Sequence, residues 1–226
     1  MAEFPAAPPL EPVPAVAGEF FGDRLPLAQR YARLLVEMGT VRGILGPEEG
    51  ARIWTRHLLN CAAVTELFAP GERIVDVGSG GGLPGLVIAL RRPDLRVDLV
   101  EPLQRRVDFL TEAVAELDLG NRVRVVRGRA EDADTVGAVG GADWVTARAV
   151  APLDRLVRWC LPLAAPDGRL ALIKGASAAA ELERHRTGLR RRGVRDVQLV
   201  ACGVGMLNPA VTVVTIDASE TSKGSG

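Results

Sequence analysis

The sequence predicts an α/β protein: a mostly parallel seven-stranded sheet with a C-terminal antiparallel hairpin and an N-terminal helical subdomain. Three observations carry that expectation. Apolar residues in the first third recur at intervals of three and four. Beyond it, short β-type runs alternate with helical ones, which is the order of a parallel sheet with helical crossovers. The last two β-type runs follow each other too closely for a crossover, so they must pair as antiparallel neighbours. A chain of 226 residues, 47% hydrophobic and 25% charged, fits one globular domain with a sizeable core.

Residues 1–20, "MAEFPAAPPLEPVPAVAGEF", are rich in Pro and Ala without periodicity and read as a disordered leader. Residues 21–70 read as the helical subdomain. Asp23 is placed to cap a helix with Pro26 in its first turn, and Leu27, Arg30, Tyr31, Leu34, Leu35 and Met38 share a largely apolar face. "GPEEGARIWTRHLLNCAAVTELF" repeats the device. There Pro47 is early, Glu48 and Glu49 complement the positive helix end, and Ile53, Trp54, Leu58, Cys61, Val64 and Leu67 keep the rhythm. Residues 71–217 carry the β runs "RIVDV", "RVDLVE", "VRVVRG", "ADWVTA" and "RLALIKG". Helical segments at "GLVIALRR", "LQRRVDFLTEAVAEL", "PLDRLVRWCLPL" and "SAAAELERHRTGLRRRG" accompany them. "DVQLVACGV" and "AVTVVTID" then form the hairpin through "GMLNP", and residues 218–226 are a polar, frayed tail.

Composition excludes several classes. Cys61, Cys160 and Cys202 are scattered and odd in number, and with two histidines they offer neither a disulfide framework nor a metal-ligand spacing. The N-terminus lacks the basic and apolar regions of a signal peptide, and no stretch offers the ~20 apolar residues of a membrane span. A cytoplasmic protein without a metal site follows; a monomer is expected. Lys and Arg number 28, as do Asp and Glu. No global field therefore draws the chain to an anionic polymer, and any nucleic-acid contact must come from a local basic patch.

"VDVGSGGGLPG", residues 75–85, sits where the first strand turns into a helix, at the carboxyl edge of the sheet where ligands bind. Gly80, Gly82 and Gly85 match G-x-G-x-x-G, the dinucleotide fingerprint, but Asp76 stands where its charge would repel a phosphate. An acid there suits a ligand with a cationic portion, and S-adenosylmethionine has an ammonium and a sulfonium without phosphate. Glu101 ends the second strand about 20 positions further on, where a carboxylate accepts from both ribose hydroxyls of either cofactor. In "GRAED", Ala130 and Glu131 are placed to bracket an adenine edge, or Glu131 and Asp132 simply cap a turn.

"WTRHLLNC", "VDVGSGGGLPG", "VEPLQRRVDFL", "GRAED", "ARAVAPL" and "ALIKG" together resemble the small-subunit ribosomal RNA methyltransferase G family, also called glucose-inhibited division protein B. The resemblance runs in order over nearly all the chain after Phe20. It implies a class I, Rossmann-like methyltransferase that uses S-adenosylmethionine to methylate N7 of a guanine in 16S ribosomal RNA. It also implies cofactor contacts at Gly78, Leu83, Ala130, Glu131 and Arg148, beside the Asp76, Gly80 and Glu101 already singled out. N7 carries no proton, so no general base is required. Arg148 and Lys174, at strand ends on the carboxyl edge, are the candidates for orienting the substrate, although Lys174 also reads as an ordinary strand-end lysine.

Candidate RNA contacts are Arg56, His57 and Asn60 on the helical subdomain, Lys174, and Arg184 and Arg191 in a cluster with Arg186, Arg190, Arg192 and Arg195. Arg24, Arg30 and Arg33 form a second cluster. His57, alone among apolar neighbours, reads more readily as a structural histidine, and the Arg-rich helix end as a solvated face. Trp54, Trp144 and Trp159 read as core. The partner is expected to be RNA within the small ribosomal subunit. A small-molecule methyltransferase shares every cofactor residue, and a nicotinamide-dependent oxidoreductase would share the glycines and Glu101.

Overall fold

In the computed structural model, the described residues are 9–148, 151–175, 178–192, 194 and 196–218. Three helices open the chain: α1 (Val16–Phe21), α2 (Leu25–Leu34), which continues as a wider π-type turn over Leu35–Gly39, and α3 (Leu59–Ala63), which follows a similar turn over Ile53–Leu58. Then come β1 (Arg73–Val77), α4 (Gly85–Arg91), β2 (Arg96–Glu101), α5 (Gln104–Glu116), β3 (Val123–Arg127), α6 (Ala133–Val139), β4 (Ala142–Arg148) and α7 (Leu153–Cys160). The chain ends with β5 (Ala164–Lys174), α8 (Ala178–Arg191), β6 (Val197–Cys202) and β7 (Val211–Asp217).

The strands form one sheet in the order β3-β2-β1-β4-β5-β7-β6. β1 to β5 pair in parallel, while β7 runs antiparallel between β5 and β6. The chain steps outward from β1 to β3 and then returns to β4 on the other side of β1. The crevice between the carboxyl ends of β1 and β4 is therefore the point where the winding reverses, and open α/β sheets bind ligands there.

Strand alternation assigns the two faces. Ile74 joins the core under α1 to α5, whereas Val75 and Val77 join the core under α7 and α8. Val, Ile and Leu fill both faces, as a sheet covered on both sides requires. Among the described residues no helix is long and apolar enough to cross a membrane.

Two expectations are corrected, and one further helix is added. The leader was expected to lack structure through residue 20, yet Val16–Phe21 is helical with Ala17, Phe20 and Phe21 buried. Two aromatic rings supply enough apolar surface to dock a short helix, and the Glu11 carboxylate fixes the preceding segment by accepting the Trp54 and Thr55 amides at 2.7 and 3.1 Å. Asp23 is exposed and its side chain caps nothing; a 3-10 turn over Gly22–Arg24 leads directly into α2, with Pro26 in the first turn. α6, seven residues long, had too few apolar positions to show a period. Residues 1–8 of the leader, 219–226 of the tail, and Arg195 lie outside the described residues.

Candidate active site

The glycine loop is held from three sides. Its first two amides, of Gly78 and Ser79, donate to the Val100 carbonyl at 2.9 and 3.2 Å, which ties the end of β1 to the end of β2. The Glu101 carboxylate accepts the Gly80 amide at 2.9 Å through one oxygen and the Leu103 amide at 3.0 Å through the other. From the helical segment, the buried Tyr31 hydroxyl donates to the Gly81 carbonyl at 2.7 Å. Gly78, Gly80 and Gly82 adopt φ of 68°, 59° and 96°, the left-handed region that glycine enters without strain. Gly85 serves closeness instead. A Cβ there would strike the Leu99 side chain and stand 2.7 Å from an Asp76 carboxylate oxygen.

Asp76 is not where its sequence position suggests. Its carboxylate is fully buried and turned toward the start of α4, accepting the Gly85 amide at 3.0 Å and the Thr146 hydroxyl at 3.2 Å. Strand alternation aims Asp76 at the α4 face, not at the open edge. Burial pushes its carboxyl up to about 6, against the lowering effect of those hydrogen bonds. The expected contact between Asp76 and a cationic ligand is thereby replaced by a structural one.

Two cavities open at the carboxyl edge. The first, of about 500 Å³, is lined by Gly78, Glu101, Leu103, Arg106, Ala130 and Trp159 with their neighbours. Glu101 is 1% exposed at its wall, and the Arg106 guanidinium lies 3.7 Å from it. Glu131 is exposed on the adjoining loop, and Leu83 packs against the helical side; neither lines this cavity. Trp159, expected in the core, is half-buried with its ring at the cavity wall. Nothing in the apolar periodicity of α7 distinguishes it from a core residue.

The second cavity, of about 300 Å³, lies between the helical segment, the ends of β4 and β5, and the start of β7. Arg56, Asn60, Arg148, Lys174 and Thr212 are on its wall. Arg148, the last residue of β4, donates to the Cys61 sulfur at 3.3 Å, the Arg56 carbonyl at 3.2 Å and His57 Nδ1 at 2.8 Å. His57 Nε2 meets the Glu49 carboxylate at 2.5 Å. Burial, reinforced by the Arg148 charge, lowers the His57 imidazole to about 4 in spite of Glu49. Lys174 is not a free strand-end cation. It donates to the Ala151 carbonyl at 2.8 Å and to Glu181 at 3.1 Å, and the same Glu181 oxygen accepts the Leu153 amide. Two of its three ammonium hydrogens are thus taken within the protein, while the residue still lines the cavity where its substrate contact was expected.

Arg184 and Arg191 are exposed on α8, far along the chain from the Arg56 and Asn60 cluster. Arg30 of the first-helix cluster is tied to Glu116 of α5. Among the described residues no group of three His, Cys, Asp or Glu side chains converges as a metal site would need.

The sequence profile of the family described as rRNA small subunit methyltransferase G matches residues 24–208. The chain belongs to that family. It is 57% identical over 218 residues to the ribosomal RNA small subunit methyltransferase G of Salinispora arenicola, covering 93% of this chain and 88% of that protein. With the protein of the same name from Mycobacterium sp. (strain JLS) it shares 51% over 213 residues, 94% of both chains. Among solved structures, a putative S-adenosyl-L-methionine-dependent methyltransferase from Methanococcus maripaludis superposes with a TM-score of 0.57 at 13% identity, over 84% of this chain and 91% of that one. The sheet of this methyltransferase G family member is thus the class I methyltransferase sheet. Tyr31, Glu49, Arg106 and Trp159 escaped the sequence reading of its site. Tyr31, Glu49 and Trp159 act across elements or as single groups in apolar runs, and Arg106 is one arginine among many.

Proposed function

We propose that this protein transfers the methyl group of S-adenosylmethionine to N7 of a guanine in 16S ribosomal RNA, as a cytoplasmic monomer acting on the small ribosomal subunit. The observation that carries the reading is the 57% identity over 218 residues to a ribosomal RNA small subunit methyltransferase G. Two cavities flanking the sheet's switch point support it, one for the donor and one for the base.

The donor cavity fits an adenosine. A carboxylate offers about four acceptor positions, and the two taken by Gly80 and Leu103 leave Glu101 free to accept two ribose hydroxyls. Gly78 leaves the backbone bare for close approach, and Ala130 brings an amide to the adenine edge. S-Adenosylmethionine supplies an electrophilic methyl on a sulfonium sulfur. The N7 lone pair forms the new N–C bond as the C–S bond breaks, and that electron pair returns to sulfur. No proton leaves N7, so no base is needed, which suits a site where Lys174 is occupied and His57 is held neutral. The residues' task is alignment and exclusion of water. Arg148 orients the partners, residues 21–70 cover the base side, and residues 71–217 form the catalytic unit.

The test is transfer of labelled methyl to small subunits from cells lacking this protein, followed by nucleoside analysis. Label in 7-methylguanosine is expected. Label in no nucleoside, with S-adenosylmethionine still bound, would turn the assignment toward a small-molecule acceptor.

A further inference from the structure

We propose that His57, braced by Glu49, is a positioning residue that holds the Arg148 guanidinium at the mouth of the base cavity and so sets how the target guanine meets the methyl donor. The inference rests on the functional reading above and deepens it. Arg148 leaves the end of β4 and finds three acceptors on the helical segment: a thiol, a backbone carbonyl and an imidazole. Among the described residues no carboxylate lies within ion-pair distance of it. A carboxylate would cancel its charge. Neutral acceptors orient the guanidinium in a fixed fork and leave the charge for an electron-rich group in the cavity, such as guanine O6.

The direction of the hydrogen bonds follows from donor logic. Arg148 can only donate, so His57 Nδ1 must accept and carry no proton, and the ring proton is on Nε2, donated to Glu49. Glu49 thus selects the tautomer that Arg148 requires, as a second partner fixes an imidazole beside a metal. Arg52 and Arg56 also pair with Glu49, and the titratable Cys61, Tyr31 and Asp76 lie on the Arg148 side. Protonating Nδ1 would remove the acceptor and set two cations side by side, and the lowered imidazole pKa opposes that. The relay joins the 3-10 turn at Glu49–Arg52 and the π-type turn at Ile53–Leu58 to the end of β4, so it fixes the helical segment over the sheet edge where the reaction is assigned.

Two amide variants of different reach separate this role from packing. Asparagine carries its amide near the Nδ1 position and keeps an acceptor for Arg148; glutamine reaches the Nε2 position and keeps only the partner for Glu49. We expect His57→Asn to retain a kcat at least tenfold above that of His57→Gln, and the two variants to become equal in an Arg148→Ala background. Equal or reversed order in the native background, as a volume-filling role requires, overturns the proposal. A readout independent of turnover is the ¹⁵N spectrum of the His57 ring in the intact protein. The Nε2–H tautomer, neutral at pH 6, is expected. An Nδ1–H tautomer or an imidazolium at pH 6 overturns the relay. If wild type labels no RNA while the tautomer is found, the functional reading fails and the relay stands.

Discussion

Asp76 shows how one residue's surroundings redirect its role. Its folded carboxyl, near 6, lies above the ordinary aspartate value of 3.8, so the folded state binds more protons between those values. The stability that Asp76 contributes is fully present below about pH 3.8 and is lost as pH rises through about 6, a loss of at most ~3 kcal/mol. Asp76→Asn keeps an acceptor for Gly85 and a partner for Thr146 without the charge. It should therefore fold at least as stably as wild type at pH 8, flatten the urea-denaturation profile between pH 4 and 7, and leave S-adenosylmethionine affinity unchanged. Loss of cofactor affinity alone would return Asp76 to the binding site. His57 runs with the opposite sign: its contribution is present above about 6.5 and lost as pH falls through about 4. At Glu101 the structural role, anchoring Gly80, joins the ribose contact proposed for it. Glu101→Ala should weaken S-adenosylmethionine binding by about 1.5–3 kcal/mol in calorimetry, because a charged acceptor for ribose and the anchor of Gly80 are lost together. Wild-type affinity would mean the ribose is held elsewhere.

At the scale of elements, the contact between α2 and the glycine loop matters most. Tyr31 is buried, and its hydroxyl is the described side-chain partner of the Gly81 carbonyl. Tyr31→Phe preserves the ring's packing and strips that carbonyl of its donor, with an expected loss of about 1–3 kcal/mol in urea unfolding. If the loop is held in its binding shape by α2, affinity for S-adenosylmethionine should fall with it, by severalfold. A stability loss at unchanged affinity would show that Val100 and Glu101 suffice to hold the loop. The alternation of strand and helix after residue 71 was plain in the sequence because each run buries a continuous apolar set. α1 and α6 were not, because six or seven residues span too few turns to display a period.

For the whole molecule, charge decides how RNA is met. The net charge is zero, and many arginines are already paired: Arg42 with Glu112, Arg73 and Arg124 with Asp98, Arg92 with Asp94. Arg56, itself paired with Glu49, is exposed on the helical segment, and Arg184 and Arg191 are exposed together on α8. With no net charge to draw the chain onto an anionic polymer, affinity for naked RNA should be weak. Methyl transfer to a short isolated hairpin is accordingly expected to be at least tenfold slower than to small subunits under the same salt. Comparable rates on both would show that local RNA structure is enough.

Local pattern carried the sheet, its order of connections, the glycine turn and the acid at the end of β2, because these depend on period, turn chemistry and spacing along the chain. The ordered motifs from "WTRHLLNC" to "ALIKG" carried the family. What no local pattern contains is which way a polar side chain points once both faces of a sheet are covered. Packing turned Asp76 to α4 and gave Lys174 a partner in Glu181 at the cavity wall. The same packing brought Glu49 and His57 to Arg148, which is 91 residues from His57 in the chain, and made the helical segment part of the site. Each of these partnerships is decided by burial, since a polar group withdrawn from water takes the partner that the fold delivers.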